Sequence, residues 1–250
     1  KQMVKERRNF WLEFDIRNHF KLGPVKYHNV VASIKGTKYP DEYVIISGHL
    51  DSYDVATGGI DCGTGIGPMM EAARMIALSG AKPKRTILFV AFAGEEFGLL
   101  GAKAYVKTHA KELGKIANLF NRDGGPTPPV GISVPQAMYD DFVEVCKPVK
   151  EICADYPFEV KVAKPFKRPT QSGGTDASVF AVEGVPTFGF NTQDIKGYNF
   201  SYGEIWHTER DLYTKNIPEY QEHAATVTAV VALGIANLSK QLSREGMHKK

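Results

Sequence analysis

The feature that most constrains this chain is the run Thr86-Ile-Leu-Phe-Val-Ala-Phe92, apolar at nearly every position. A strand with one solvated face alternates apolar and polar residues, so an unbroken run marks a strand buried on both faces. Other segments fall into step around it. Residues 29–34, 43–47, 116–120 and 186–190 read as strands, and residues 65–79, 99–109, 136–154, 175–183 and 218–242 read as helices, the last with Pro218 near its first turn. Strands alternating with helices imply an α/β sandwich around a mainly parallel sheet. In that architecture, sites form at the carboxyl ends of the strands. Residues 1–24 stand apart: Phe10-Trp-Leu-Glu-Phe-Asp-Ile16 alternates like a strand, and Asn18-His-Phe-Lys-Leu-Gly-Pro24 breaks it.

Composition narrows the function classes. The chain has 250 residues, 43% hydrophobic and 24% charged, which suffices for one large core and also admits two small domains. The formal charge of +3 comes largely from the ends, Lys1-Gln-Met-Val-Lys-Glu-Arg-Arg8 and His248-Lys249-Lys250, with no basic stripe of the kind nucleic-acid binders carry. No apolar run reaches the ~20 residues of a membrane span. No signal-peptide pattern opens the chain. Three cysteines, Cys62, Cys146 and Cys153, do not make a disulfide framework. Cys146 and Cys153 lie about two turns apart on one expected helix, roughly 10 Å of rise, too far to bridge.

The chemistry-bearing residues follow the strands. After 43–47 comes Gly48-His49-Leu50-Asp51-Ser52, after 86–92 comes Ala93-Gly94-Glu95-Glu96-Phe97-Gly98, and after 116–120 comes Asn121-Arg122-Asp123-Gly124-Gly125. A single His or Asp at a strand end is commonly structural; three such ends together point to a metal-dependent site. Metal-bound imidazoles usually donate their second N–H to a carboxylate, and Asp51 is placed to be that carboxylate for His49. Adjacent residues of extended chain point opposite ways, so Glu95 and Glu96 can divide the work of base and metal ligand. Gly58-Gly-Ile-Asp61-Cys62-Gly-Thr-Gly65 lacks the ending of a P-loop and the spacing of a dinucleotide fingerprint. Its glycines read as freedom for Asp61 to turn inward. Trp206-His207 offers a second well-placed imidazole, with Trp206 either walling a substrate pocket or packing.

In this order and spacing, the segments at 48–52, 58–65, 94–98 and 122–124, with Gly-Gly-Thr-Asp176-Ala-Ser-Val-Phe and Trp206-His207-Thr-x-x-Asp211, resemble the M28 family of metallopeptidases. The likeness spans about residues 29 to 240. It is strongest to the branch of plasma-type glutamate carboxypeptidase and bacterial aminopeptidases. It implies a three-layer α/β/α sandwich of the zinc-dependent exopeptidase fold over residues 25–250. Residues 1–24 would be the tail or return strand of a protease-associated domain.

The resemblance also implies two zinc ions bridged by Asp61. His49 and Asp123 complete one ion, and Glu96 and His207 the other. Glu95 is then the general base acting on a water between the ions, and Asp51 orients His49. Asp176 becomes a supporting residue behind the ligands. Cys62 stands where many members carry an acidic or amide residue, and the Asp61–Cys62 peptide is expected to be cis. Two ions bring +4 and three carboxylates −3, so a bridging hydroxide leaves the centre neutral. The implied activity is release of N-terminal amino acids from peptide substrates, with dipeptidase or carboxypeptidase activity as the alternative. Glutaminyl cyclase and a non-catalytic receptor-like module are more distant alternatives. The family likeness further implies a secreted or periplasmic location, and loops around 125–140, 164–174 and 191–204 as the specificity-determining segments. An ordinary α/β hydrolase is excluded, since no Gly-x-Ser-x-Gly elbow occurs.

Overall fold

The structure, a computed structural model, describes residues 2–19, 23–164 and 167–245; the basic His248-Lys249-Lys250 end lies outside them. A single helical turn, α1 (Gln2–Lys5), precedes β1 (Val30–Ile34) and β2 (Tyr39–His49). Then come α2 (Gly63–Leu78), β3 (Arg85–Phe92), α3 (Leu100–Thr108) and β4 (Ile116–Asn121). The second half holds β5 (Pro129–Val134), α4 (Tyr139–Ile152), β6 (Glu159–Val162), α5 (Asp176–Val182), β7 (Phe190–Thr192) and α6 (Pro218–Ala236).

The sheet order is β1-β3-β2-β4, with β2 parallel to both β3 and β4 and β1 antiparallel to β3. A second sheet, β6-β5-β7, has one parallel and one antiparallel pair. The expected strand at 186–190 joins the two. Its first part lies beside β4, where the Leu119 N–H donates to the Pro186 carbonyl at 2.9 Å. The Asn118 side chain donates to the Phe188 carbonyl at 3.1 Å and accepts from its N–H at 3.0 Å. Regular laddering begins only at Phe190; before it, the Asn118 side chain stands in for a main-chain partner at Phe188.

Period two sorts the central strands into two cores. Val44, Ile46, Ile87 and Phe89 face α2, α4 and α6, while Ile45, Val90 and Phe92 face α3 and α5. The unbroken apolar run is therefore covered on both sides, and fully burying a side chain such as Phe92 contributes about 1.5–3 kcal/mol.

Two expectations change. Residues 10–16 form no sheet pairing and are exposed, Trp11 at 96%. An alternating pattern becomes a strand only where an edge accepts its N–H and C=O groups. The closing helix stops at Ala236 rather than 242. Beyond it the chain is tied to the start of β3: the Lys84 N–H donates to Asn237 Oδ1 at 3.1 Å, and Arg85 Nη1 donates to the Leu238 carbonyl at 2.6 Å. No helix among the described residues is long and apolar enough to cross a membrane.

Candidate active site

Because β3, β2 and β4 are adjacent and parallel, their carboxyl ends open on one side, with His49 opposite Phe92 and Ser47 opposite Asn121. The three expected loops therefore converge. His49 is 2% exposed, and its Nε2 lies 3.0 Å from Asp61 Oδ1 and 3.3 Å from Asp123 Oδ1. Burial disfavours the imidazolium, but hydrogen bonds to Asp123 and Asp61 outweigh it and raise the ring's pKa. The same neighbours suit a bound cation. His207 Nε2 and Glu96 Oε2 form a second couple, 2.9 Å apart.

Asp51 works differently from expectation. His49 Nδ1 donates to the Asp51 main-chain carbonyl at 2.8 Å, and the nearer carboxylate oxygen stands 3.9 Å away. That carboxylate instead accepts the N–H groups of Gly94, Glu95 and Glu96 at 2.8, 3.1 and 3.1 Å. Backbone carbonyl and carboxylate together lock both the ring and the acidic turn.

The glycine-rich loop brings Asp61 in, to 4% exposure, and its Asp61–Cys62 peptide is cis. Its glycines serve close backbone approach rather than freedom of motion. A Cβ on Gly59 would sit 2.2 Å from the Leu212 carbonyl carbon, and one on Gly65 would sit 2.2 Å from the Arg122 oxygen. Asp211, 1% exposed, fastens this loop from the His207 side, accepting from the Ile60 N–H at 2.6 Å and the Asp61 N–H at 3.2 Å. Two further residues went unread in the sequence. Tyr202 donates its hydroxyl to Asp61 Oδ2 at 2.8 Å. Tyr53 stacks on His207 with ring centroids 4.2 Å apart. Tyr53 sits in a loop and Tyr202 opens a three-residue 3-10 turn, neither with a periodicity to mark it.

Glu95 and Glu96 lie in a turn, and their side chains meet different neighbours. Glu96 reaches His207, and its Oε1 is buried without a hydrogen-bond partner. Glu95 lines a cleft of about 600 Å³ together with Asp61, Asp123, Tyr202, Trp206 and His207. Burial, followed by the Asp123 charge, pushes its carboxyl up to about 8. Trp206 is half exposed and tilts against the His207 ring, so it both walls the cleft and packs.

Ligand atoms of His49, Asp61 and Glu96 lie within 4.8 Å of one another, as do those of His49, Cys62 and Asp123. A buried carboxylate oxygen without a donor, amid converging His and Asp side chains, fits a divalent cation. Cys62 fits less well: its thiol is buried, donates to the Arg122 carbonyl at 3.0 Å, and burial raises its pKa. Such a thiol is inert. Asp176 is fully buried, both its carboxylate oxygens lack partners, and burial pushes it up to about 7. Of the expected specificity loops, Ser172, Gly173 and Gly174 and, further on, Tyr202 reach the cleft, while 129–134 is taken up by β5. Residues 165 and 166 of the middle loop lie outside the described ones.

Residues 29–231 match the family model described as peptidase family M28. Carboxypeptidase Q of Rattus norvegicus is 32% identical over 231 residues, covering 90% of this chain and 46% of that protein. A crystallised peptidase M28 precursor from Shewanella amazonensis is 32% identical, with a TM-score of 0.70 over 86% of this chain and 46% of that one. A zinc aminopeptidase from Bacillus subtilis shares the fold at 21% identity, with a TM-score of 0.63 over 88% of this chain and 53% of that one. The chain thus spans about half the length of the relatives it matches.

Proposed function

Because the chain belongs to peptidase family M28, we propose that it is a two-zinc exopeptidase that releases N-terminal residues from peptides, with Glu95 as general base. One observation carries the reading: Asp61, Asp123, Glu96 and His207 line one cleft, with His207 against Glu96 and the buried His49 against both Asp61 and Asp123. These five side chains would hold the ions, with Asp61 shared. When bound, zinc supplies Lewis acidity to the attacking water and the scissile carbonyl.

The chain's own groups do the rest. Glu95 takes a proton from the water as its oxygen adds to the carbonyl carbon. It then delivers that proton to the leaving nitrogen as the C–N bond breaks. A buried carboxyl whose proton affinity is raised toward neutrality suits both steps. Asp51 holds the Glu95 amide, so the base is positioned from its backbone. Trp206 and Tyr202 line the cleft and limit what can enter.

A dipeptidase or carboxypeptidase reading draws on the likeness to carboxypeptidase Q. It uses the same floor and differs only in what surrounds the substrate's far end. The central assignment is tested with Glu95→Gln. The variant is expected to bind zinc with unchanged stoichiometry and to hydrolyse aminoacyl and dipeptide substrates about 10²–10⁴-fold more slowly. Parental turnover in that variant refutes Glu95 as the base.

A further inference from the structure

Among the described residues, the acidic cleft is lined by one permanently charged cation of lysine or arginine type, Lys103. It sits on α3, the helix that leaves the Glu95–Gly98 turn. Its N–H donates to the Leu99 carbonyl at 3.0 Å, so the two residues stack one turn apart on one face, and both line the cleft. Helical side chains lean toward the N-terminus, which here carries Lys103 back toward Glu95 and Glu96. Its ammonium forms no ion pair with any described residue, although Asp61, Glu95, Glu96 and Asp123 line the same cleft.

We propose that Lys103 reads the free α-carboxylate of the substrate and makes the site selective for short peptides whose C-terminus lies within a residue or two of the scissile bond. The charges require such a group. With ions and carboxylates near balance at the floor, an uncharged peptide amide enters without electrostatic cost. A peptide carboxylate meets acidic side chains and gains from a positive charge lining the cleft, which Lys103 supplies. Lysine suits this role as a mobile point charge that tolerates substrates of slightly different length. Because Lys103 is solvent-exposed, the effect is one of modest, salt-sensitive selection.

This inference rests on the peptidase reading, so its test measures binding as well as turnover. Alanyl-alanine and alanyl-alanine amide are compared on the zinc-loaded full chain, by calorimetry and by hydrolysis rate. The parental protein is expected to favour the free acid. Lys103→Ala should lose about three- to five-fold of that preference at low salt, through KM with kcat unchanged, and Lys103→Glu should favour the amide. The gap should close at high salt. An acid-to-amide ratio that is the same in all three proteins, by either readout, overturns the inference. If neither compound is hydrolysed but the binding preference still depends on Lys103, the carboxylate reading stands and the peptidase reading falls.

Discussion

A carboxylate that accepts three main-chain hydrogen bonds holds a turn by its amides, and Asp51 does this for the turn carrying Glu95 and Glu96. The imidazole of His49 is held separately, by the Asp51 carbonyl. Asp51→Asn places amide hydrogens against backbone N–H donors while leaving that carbonyl in place. Turnover should therefore fall about 10–100-fold, with zinc affinity reduced less; steady-state kinetics beside a metal titration separates the two. A loss confined to zinc affinity would show that the carboxylate acts through His49 after all.

Away from the cleft, His223 stacks on Tyr156 at a 3.9 Å centroid distance and donates from Nε2 to the Pro129 carbonyl at 2.8 Å, while Nδ1 is buried without a partner. Burial, with Arg122 nearby, holds its pKa below the ordinary 6.5. The unfolded chain then binds the extra proton, so the stability this ring contributes is complete above pH 6.5 and is lost as pH falls below it. Urea midpoints measured on acidification should fall more steeply for the parental protein than for His223→Phe. Parallel curves would contradict a buried neutral ring.

Among the elements, the loop from Gly58 to Gly65 shows most directly what glycine does here. At Gly65, on α2, a Cβ would meet the Arg122 oxygen at 2.2 Å and Cys62 Sγ at 2.5 Å; at Gly67, on the same helix, it would meet nothing within 4 Å. Gly65→Ala should cost about 1–3 kcal/mol. Gly67→Ala should be neutral or stabilise by about 0.5–1 kcal/mol. Denaturant melts of the two variants side by side check this, and equal midpoints would show that the Arg122 strand end yields freely. The same loop marks the boundary of what the sequence makes legible. His49, Asp61, Glu95, Glu96 and Asp123 could be read because each follows a strongly patterned strand or opens a patterned helix. Asp211 stands out only as part of the motif with His207, and its task, like that of Tyr202, could not be read: their targets, the Ile60 and Asp61 amides and the Asp61 carboxylate, are about 140 to 150 residues away in sequence. β5 and β6 were hidden for another reason. Pro129 and Gly131 interrupt the first, and the second is four residues long with charges at alternate positions. Only their neighbours in the sheet make them strands.

For the whole molecule, both halves of the fold converge on a cluster of acids. β2, β3 and β4 deliver His49, Glu95, Glu96 and Asp123; the segment before α6 delivers His207; and α5 buries Asp176 behind them. Burial first, and the charges of neighbouring carboxylates after it, oppose ionisation there, pushing Glu95 up to about 8 and Asp176 up to about 7. A divalent cation relieves that repulsion only in the folded chain, so binding must stabilise the fold. At a free zinc concentration 100 times Kd the gain is about 2.7 kcal/mol, which for a domain of this size raises Tm by roughly 5–10 °C. A chelator should reverse the shift. Glu95→Gln should retain it, since that side chain is assigned to the base. Glu96→Gln and His207→Ala should lose most of it if the couple they form is, as proposed, one arm of the metal site. Differential scanning fluorimetry of the four proteins, with zinc and with chelator, gives all the comparisons at once. An undiminished shift in both Glu96→Gln and His207→Ala would place the cation elsewhere and remove the basis for a shared Asp61.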